Sequence, residues 1–222
     1  MRVTFVLPEV NLGGGIRVVL SHSERLARRG HRVTVVAGPN DRRSMLRRVK
    51  DVIRRRAPFR LPRARHFETP KGVDLRIVEH APIIDADVPD ADVVVATWWE
   101  TAEWTAALSR RKGTKCYFIQ GDDAETPGQP RDRVRATWRM PMHKIAVAPW
   151  LVDRIHAESG DDVSLVLNGV DARQFRAPER GKQRRPTVGF VYQPLRLKGC
   201  DVILRALEIA RRRIADLEVR AF

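Results

Sequence analysis

Apolar residues along this chain fall into short, nearly continuous runs separated by stretches of helical period. Arg2–Leu7 (RVTFVL) is β-branched and apolar, and Pro8 and the cluster Asn11-Leu12-Gly13-Gly14-Gly15 follow it, so a strand gives way to a glycine loop. From Ile16 the period changes. Ile16, Val19, Leu20, Ser23 and Leu26 or Ala27 share one side, Arg17, Glu24, Arg25 and Arg28 the other, and Gly30 supplies the stop. Val33–Ala37 is again a strand. Strand, glycine loop, helix and strand within about 35 residues make a βαβ unit, right-handed with parallel strands.

The alternation continues through Val73–Val78, Ala91–Ala96, Lys115–Ile119, Lys144–Ala148 and Val163–Leu167, each short, mostly apolar and suited to a sheet covered on both faces. Helical stretches lie between several of them: Ser44–Arg56, Glu100–Arg111 and Pro149–Glu158, the last with proline in its first turn. The expected fold is α/β, a doubly wound parallel sheet of about seven strands occupying residues 1–175. Arg176–Pro186 (RAPERGKQRRP) is polar, charged and proline-bounded, the composition of a linker. Beyond it, residues 187–222 begin a second domain: strand Thr187–Tyr192, loop Gln193–Gly199, helix Asp201–Arg213 and strand Leu217–Phe222. A single βαβ leaves strand edges and helix faces uncovered, so the second domain is expected to be incomplete as written.

Composition fits this picture. The chain has 222 residues, 43% hydrophobic and 31% charged, an ordinary globular mix. No window reaches the roughly 18 unbroken apolar residues of a membrane span, and the N-terminus lacks the pattern of a secretory signal, so a cytoplasmic location is expected. Cys116 and Cys200 are far apart with no CxxC spacing and read as reduced core thiols, and no metal site is expected. Charge adds something new. The net charge is +15, and the stretch from Asp41 to Arg65 alone carries +9. Within it Met45, Leu46, Val49, Val52 and Ile53 form an apolar stripe, while Arg42, Arg43, Arg47, Arg48, Arg54 and Arg55 occupy much of the rest. This basic amphipathic segment suits the surface of an anionic membrane leaflet, with Phe59 and Leu61 adding apolar contact; the alternative is a helix that packs its stripe on the sheet. Zinc-finger spacing, RNP-type aromatic pairs and basic-zipper heptads are all missing, so no nucleic acid partner is expected.

Candidate chemistry clusters where strands end. Gly13–Gly15 opens a helix at the carboxyl end of the first strand, where exposed backbone N–H groups attract phosphate; a loop needing glycine for its backbone angles is the other reading. Gln120-Gly121-Asp122-Asp123-Ala124-Glu125 follows a strand directly, as a ligand-facing loop would, although adjacent acids also form turns and caps. Trp98 and Trp99 follow another strand and could stack on a sugar ring, whereas Trp104 has the spacing of a core residue. His31 sits in a turn, and His22, His143 and His156 have no acidic partner at useful spacing, so surface or core roles are expected for them.

Three segments together are more specific: GGGIRVVLSHSERLARRGHRVTVV at the start, Asn168-Gly169-Val170-Asp171 with Phe175 four residues later, and Pro194-Leu195-Arg196-Leu197-Lys198-Gly199 leading into a helix. In this order they resemble the family 4 glycosyltransferases, nucleotide-sugar enzymes of the GT-B fold. The resemblance implies two Rossmann-like domains, the acceptor held mainly by the first and the donor mainly by the second. It implies transfer of a hexosyl or deoxyhexosyl group from a nucleoside-diphosphate-sugar to a glycan, lipid or lipid-linked acceptor, with retained configuration and no cofactor or metal. Surface polysaccharide synthesis in a bacterial cell, on the inner face of the plasma membrane, is the setting it suggests.

By the same resemblance Gly14, Gly15, Arg196, Lys198 and Gly199 bind the donor diphosphate, although the family spaces its basic pair more widely than Arg196 and Lys198. Gln120 and Asp122 correspond to catalytic positions facing the donor sugar, with Asp123 and Glu125, like Trp98 and Trp99, as further sugar or acceptor contacts. The family's donor-holding glutamates lie late in its second domain, so this chain by itself is expected to transfer weakly or not at all. A non-catalytic remnant or split subunit is the alternative, followed by a basic nucleic-acid-binding protein and a sugar-nucleotide epimerase on the same fold.

Overall fold

The computed structural model describes residues 1–11, 13–39, 70–172, 175–179, 181–192 and 198–222. The expected helix Ser44–Arg56, with Arg42, Arg43, Arg47, Arg48, Arg54 and Arg55, lies outside those residues, as does Arg196. The chain divides into two compact units, Met1–Gly169 and Val170–Phe222, so the segment Arg176–Pro186 groups with the second.

The first unit is a seven-stranded sheet of β1 (Arg2–Leu7), β2 (Arg32–Ala37), β3 (Val73–Ile77), β4 (Val93–Ala96), β5 (Thr114–Ile119), β6 (His143–Ala146) and β7 (Val163–Leu165). Every neighbouring pair is parallel, in the order β3-β2-β1-β4-β5-β6-β7. The chain therefore builds outward from β1 to β3, returns to the middle, and builds outward again from β4 to β7. That reversal leaves a crevice outside the carboxyl ends of β1 and β4, where no crossover covers the sheet.

Strand periodicity divides the apolar runs between two faces. Val3, Phe5 and Leu7 of β1 join Val33, Val35 and Ala37 of β2 beneath Val19 and Leu20 of α1 (Gly14–Arg28). Val6, Val36 and Val94 point the other way, under Ile83, Val88 and Leu108, with Trp104 packed alongside as its spacing predicts. A third cluster fills the far side, where Tyr117, Ile119 and Ala146 meet Trp138, Leu151 and Ile155. Burial on both faces is why the strands read as continuous hydrophobic runs.

Between β4 and β5 runs α2 (Trp99–Ala107), which is shorter than the expected Glu100–Arg111. Asp85 accounts for the early stop: its carboxylate accepts from Ser109 N at 2.7 Å and Ser109 Oγ at 2.8 Å, and a 3₁₀ turn at Arg110–Lys112 follows. Gly113 then takes φ 94°, and a Cβ there would sit 2.4 Å from the carbonyl carbon of Asp92, so only glycine fits this entry to β5. Helix α3 (Arg131–Trp138) was not foreseen. Its buried side is only Val134, Thr137 and Trp138, set among four charged residues, too few to show a period. Helix α4 (Pro149–Ser159) starts at proline and ends at Gly160 in the left-handed region, close to expectation. Its N-cap is Ala148, which the sequence had placed in β6.

In the second unit β8 (Thr187–Phe190) and β9 (Glu218–Ala221) pair in parallel, connected through α5 (Cys200–Arg213). Both cysteines, Cys116 and Cys200, are buried free thiols.

Candidate functional site

Five loops or helix starts converge at the carboxyl edge of the first unit and enclose a cavity of about 590 Å³. Pro8, Glu9 and Asn11 enter from the end of β1, Gly13, Gly15 and Ile16 from the start of α1, and Thr97, Trp98, Trp99 and Glu100 from the end of β4. Tyr117, Ile119, Gln120, Gly121 and Asp123 come from β5 and its loop, and Gln129 from the turn before α3.

Each wall has a local cause. Asn11 Oδ1 accepts from Gly13 N at 2.7 Å, and Asn11 Nδ2 donates to Glu9 Oε1 at 2.6 Å, which folds the loop after β1 into an Asx turn that delivers the chain to α1. Gly13 occupies the N-cap of α1 without a side-chain cap, and no acid stands in the first turn, so the positive end of the helix is uncompensated. A Cβ on Gly15 would lie 3.2 Å from Gln120 Nε2, so glycine there lets the helix start close against that side chain. At the next strand end, Thr101 Oγ1 accepts from the backbone N–H groups of Thr97 and Trp98, each at 2.9 Å, and Thr97 Oγ1 donates to Val6 O at 2.8 Å. These bonds fix the β4 exit to the end of β1 across the crevice.

The two tryptophans then separate in role. Trp99 is 5% exposed, packs with Ala124 and Val134, and donates from Nε1 to Gln129 Oε1 at 3.0 Å. Trp98 is part-buried and packs against that cluster, keeping indole surface for the cavity.

The acidic loop divides more sharply. Asp122 does not line the cavity. Its Oδ2 accepts from Arg135 Nη2 at 2.5 Å and from Arg154 Nη1 at 2.8 Å, and its Oδ1 from Ala124 N at 3.2 Å. It is a clamp joining the β5 loop to α3 and α4. Glu125 reinforces that clamp, pairing with Arg131 at 3.0 Å and lying 3.6 Å from Arg135. Asp123 is the acid that faces the cavity. Burial, and after it the charge of Asp122, push its carboxyl up to about 7. Burial and the same Asp123 charge push the neighbouring Tyr117 phenol well above its ordinary value. Of the expected site residues, the structure thus brings together Gly15, Gln120, Asp123, Trp98 and Trp99, and it turns Asp122 and Glu125 away.

Glu9, Asn11, Glu100 and Gln129 were not singled out from sequence. Glu9 and Asn11 carried the signal used for Gln120, a polar group just past an apolar strand, and were overlooked beside the glycines. Gln129 is placed only by its bond to Trp99. In the second unit Gly199 is the N-cap of α5 with φ 66°, and Lys198 is exposed immediately before it. Among the histidines, His22 packs edge-on against Phe118 at 5.7 Å, and burial lowers its pKa, a core role. Among the described residues no three His, Cys, Asp or Glu side chains converge as a metal-binding group, and no helix is long and apolar enough to cross a membrane.

A parallel sheet whose strand order reverses above a ligand-sized crevice, with a glycine-opened helix at its rim, defines the Rossmann-like class of α/β folds. Solved structures narrow this to the GT-B type. The catalytic domain of starch synthase IV from Arabidopsis thaliana, bound to ADP and acarbose, superposes with a TM-score of 0.62 at 12% identity, covering 99% of this chain and 68% of that one. An alpha-glucosyltransferase in complex with UDP gives 0.50 at 12% identity, covering 94% of this chain and 55% of that one. No curated protein matches the chain by sequence. The model of Glycosyltransferase Family 4 matches residues 12–174, most of the chain, and the chain belongs to that family.

Proposed function

We propose that the protein transfers a hexosyl or deoxyhexosyl group from a nucleoside-diphosphate-sugar to a hydroxyl of a glycan, lipid or lipid-linked acceptor, with configuration retained and without a metal. The observation that carries this reading is the cavity at the reversal point, rimmed by the uncompensated N-terminus of α1 and floored by Gln120 and Asp123. A departing diphosphate needs charge neutralisation, which helix N-termini and fixed cations provide. Gly14, where a Cβ would meet nothing within 4 Å, leaves the start of α1 open to such a group. In the second unit, Lys198 and Gly199 at the start of α5 are read by the family pattern as donor-diphosphate residues, together with Arg196. Gln120 and Asp123 address the sugar, and Asp122 holds their loop. The ADP and UDP bound in the two solved relatives support a nucleotide donor here. The +9 stretch from Asp41 to Arg65 supports docking to an anionic leaflet, at about 1 kcal/mol per basic residue near the surface, and with it a role in surface polysaccharide synthesis.

Calorimetric titration with UDP-, ADP- and GDP-sugars tests the donor reading. Saturable binding of one sugar nucleotide is expected, weakened at least about tenfold by Gly15→Val, whose branches would collide with Gln120. A protein that binds none of them, or a variant that binds as well as the parent, contradicts it.

A further inference from the structure

The cavity of the first unit has an electrical character opposite to that of the whole chain. With a net charge of +15, the chain nevertheless places Glu9, Asn11, Glu100, Gln120, Asp123 and Gln129 as the polar lining, and no Lys, Arg or His among the described lining residues. The arginines of α3 and α4 nearby are held elsewhere. Arg135 and Arg154 clasp Asp122, Arg131 pairs with Glu125 at 3.0 Å, and Arg133 with Glu103 at 2.7 Å. The three carboxylates of the lining come from three different segments, the loop after β1, the start of α2 and the loop after β5.

Asp123 adds an independent point. Among the described residues no group donates a hydrogen bond to its carboxyl, although it lies largely shielded at the cavity wall. Its carboxyl is part-buried and lines the cavity, so a ligand there can supply its hydrogen-bond partner. Carboxylates are acceptors when ionised, so what they select is a ligand rich in donors. Trp98 supplies the apolar face against which the C–H side of a pyranose ring packs.

We infer that the sugar unit taken into this cavity presents hydrogen-bond donors and no negative charge: a neutral or amino sugar, and not a uronate or a sugar phosphate. An ionised Asp123 accepts from a hydroxyl or ammonium group, whereas an anionic substituent meets the like charge of the acidic lining. This rests on the proposed function, with the acceptor held by the first unit as the family resemblance implies, and it concerns the sugar beside the acids, not the diphosphate at the start of α1.

The test is titration of the protein, followed by saturation-transfer NMR and calorimetry, with methyl β-glucoside, glucosamine, glucuronic acid and glucose 6-phosphate. The glucoside and glucosamine are expected to bind, and the two anionic sugars at least about tenfold more weakly. Preference for glucosamine over the glucoside assigns the main partner of the carboxylates to an ammonium group, and the reverse order to hydroxyls. Asp123→Asn is expected to lower binding of the favoured sugar about tenfold, the scale of a charge-assisted hydrogen bond. Glu9→Gln, on the open loop after β1, provides a second readout should the first variant misfold, and is expected to narrow the discrimination against glucuronic acid. Equal or tighter binding of the anionic sugars overturns the inference, as does failure of all four sugars to bind. Sugar binding with this selectivity in a protein that binds no sugar nucleotide leaves the inference standing and defeats the donor reading instead.

Discussion

Two adjacent aspartates, Asp122 and Asp123, show how little separates a structural acid from a functional one. Their sequence context is shared, yet one is enclosed by two guanidiniums and the other faces the cavity. Which of them points inward is decided by where α3 and α4 bring Arg135 and Arg154, and both arginines are remote from the loop in sequence. The polar loop after β5 was therefore legible as a polar strand-end loop, while which of its two aspartates faces the cavity was not. The environment of Asp123 gives a pH signature. Unfolded, its carboxyl titrates near 3.8; folded, at about 7, because burial and then Asp122 disfavour the charged form. Between those values the native state holds the extra proton, so its contribution to stability is full at low pH and is lost as pH rises through 7. Asp123→Asn removes this dependence. Its melting temperature relative to the parent is expected to rise from about pH 5 to about pH 8. His22, whose pKa is lowered by burial, changes in the opposite sense, so the comparison with the variant isolates Asp123. A difference that stays flat or shrinks over that interval contradicts the assignment.

Among the elements, βαβ periodicity revealed most of the fold because strands covered on both faces are written as unbroken apolar runs. β1 and β2, with their burial patterns of one exposed and five buried residues, are the clearest cases. Helix α3 escaped because its packing side is three residues wide and its charged residues belong to pairs made in three dimensions: Arg133 with Glu103 and Arg135 with Asp122. Those same pairs make α3 the element that secures the site loop. Asp122 is 5% exposed and Arg135 12%, and Arg135 also lies over the Trp138 ring at 4.2 Å, so this is a largely desolvated ion pair. Asp122→Ala leaves a shielded guanidinium uncompensated and is expected to cost about 3 kcal/mol in urea unfolding. The exposed pair of Arg205 and Asp201 gives the contrast, since Asp201→Ala is expected to leave the urea midpoint nearly unchanged. Equal losses for the two variants would mean that the Asp122 clamp contributes no more than a surface pair.

Over the whole molecule, sheet order determines where the site lies. Seven parallel strands in the order β3-β2-β1-β4-β5-β6-β7 can leave a crevice only where the order reverses, and that is where Gly15, Trp98, Gln120 and Asp123 meet. Sequence periodicity indicated strands and crossovers but not their lateral order, so it named the loops without showing that they share one cavity. The family resemblance supplied a grouping in advance, and the family itself is borne out over residues 12–174. Charge remained the least legible property. A chain of +15 suggests anionic ligands everywhere, yet its cavity is lined by acids, because the nearby arginines are neutralised by partners far away in sequence. The central claim is that this crevice receives the reacting sugar. The most direct measurement is a crystal structure of the protein with a sugar nucleotide and a neutral acceptor sugar. A pyranose ring is expected against Trp98, within hydrogen-bond reach of Gln120 and Asp123, with Asp122 still clasped by Arg135 and Arg154. Sugar bound away from the carboxyl ends of β1, β4 and β5, or Asp122 released from its arginines to reach the sugar, would contradict the account.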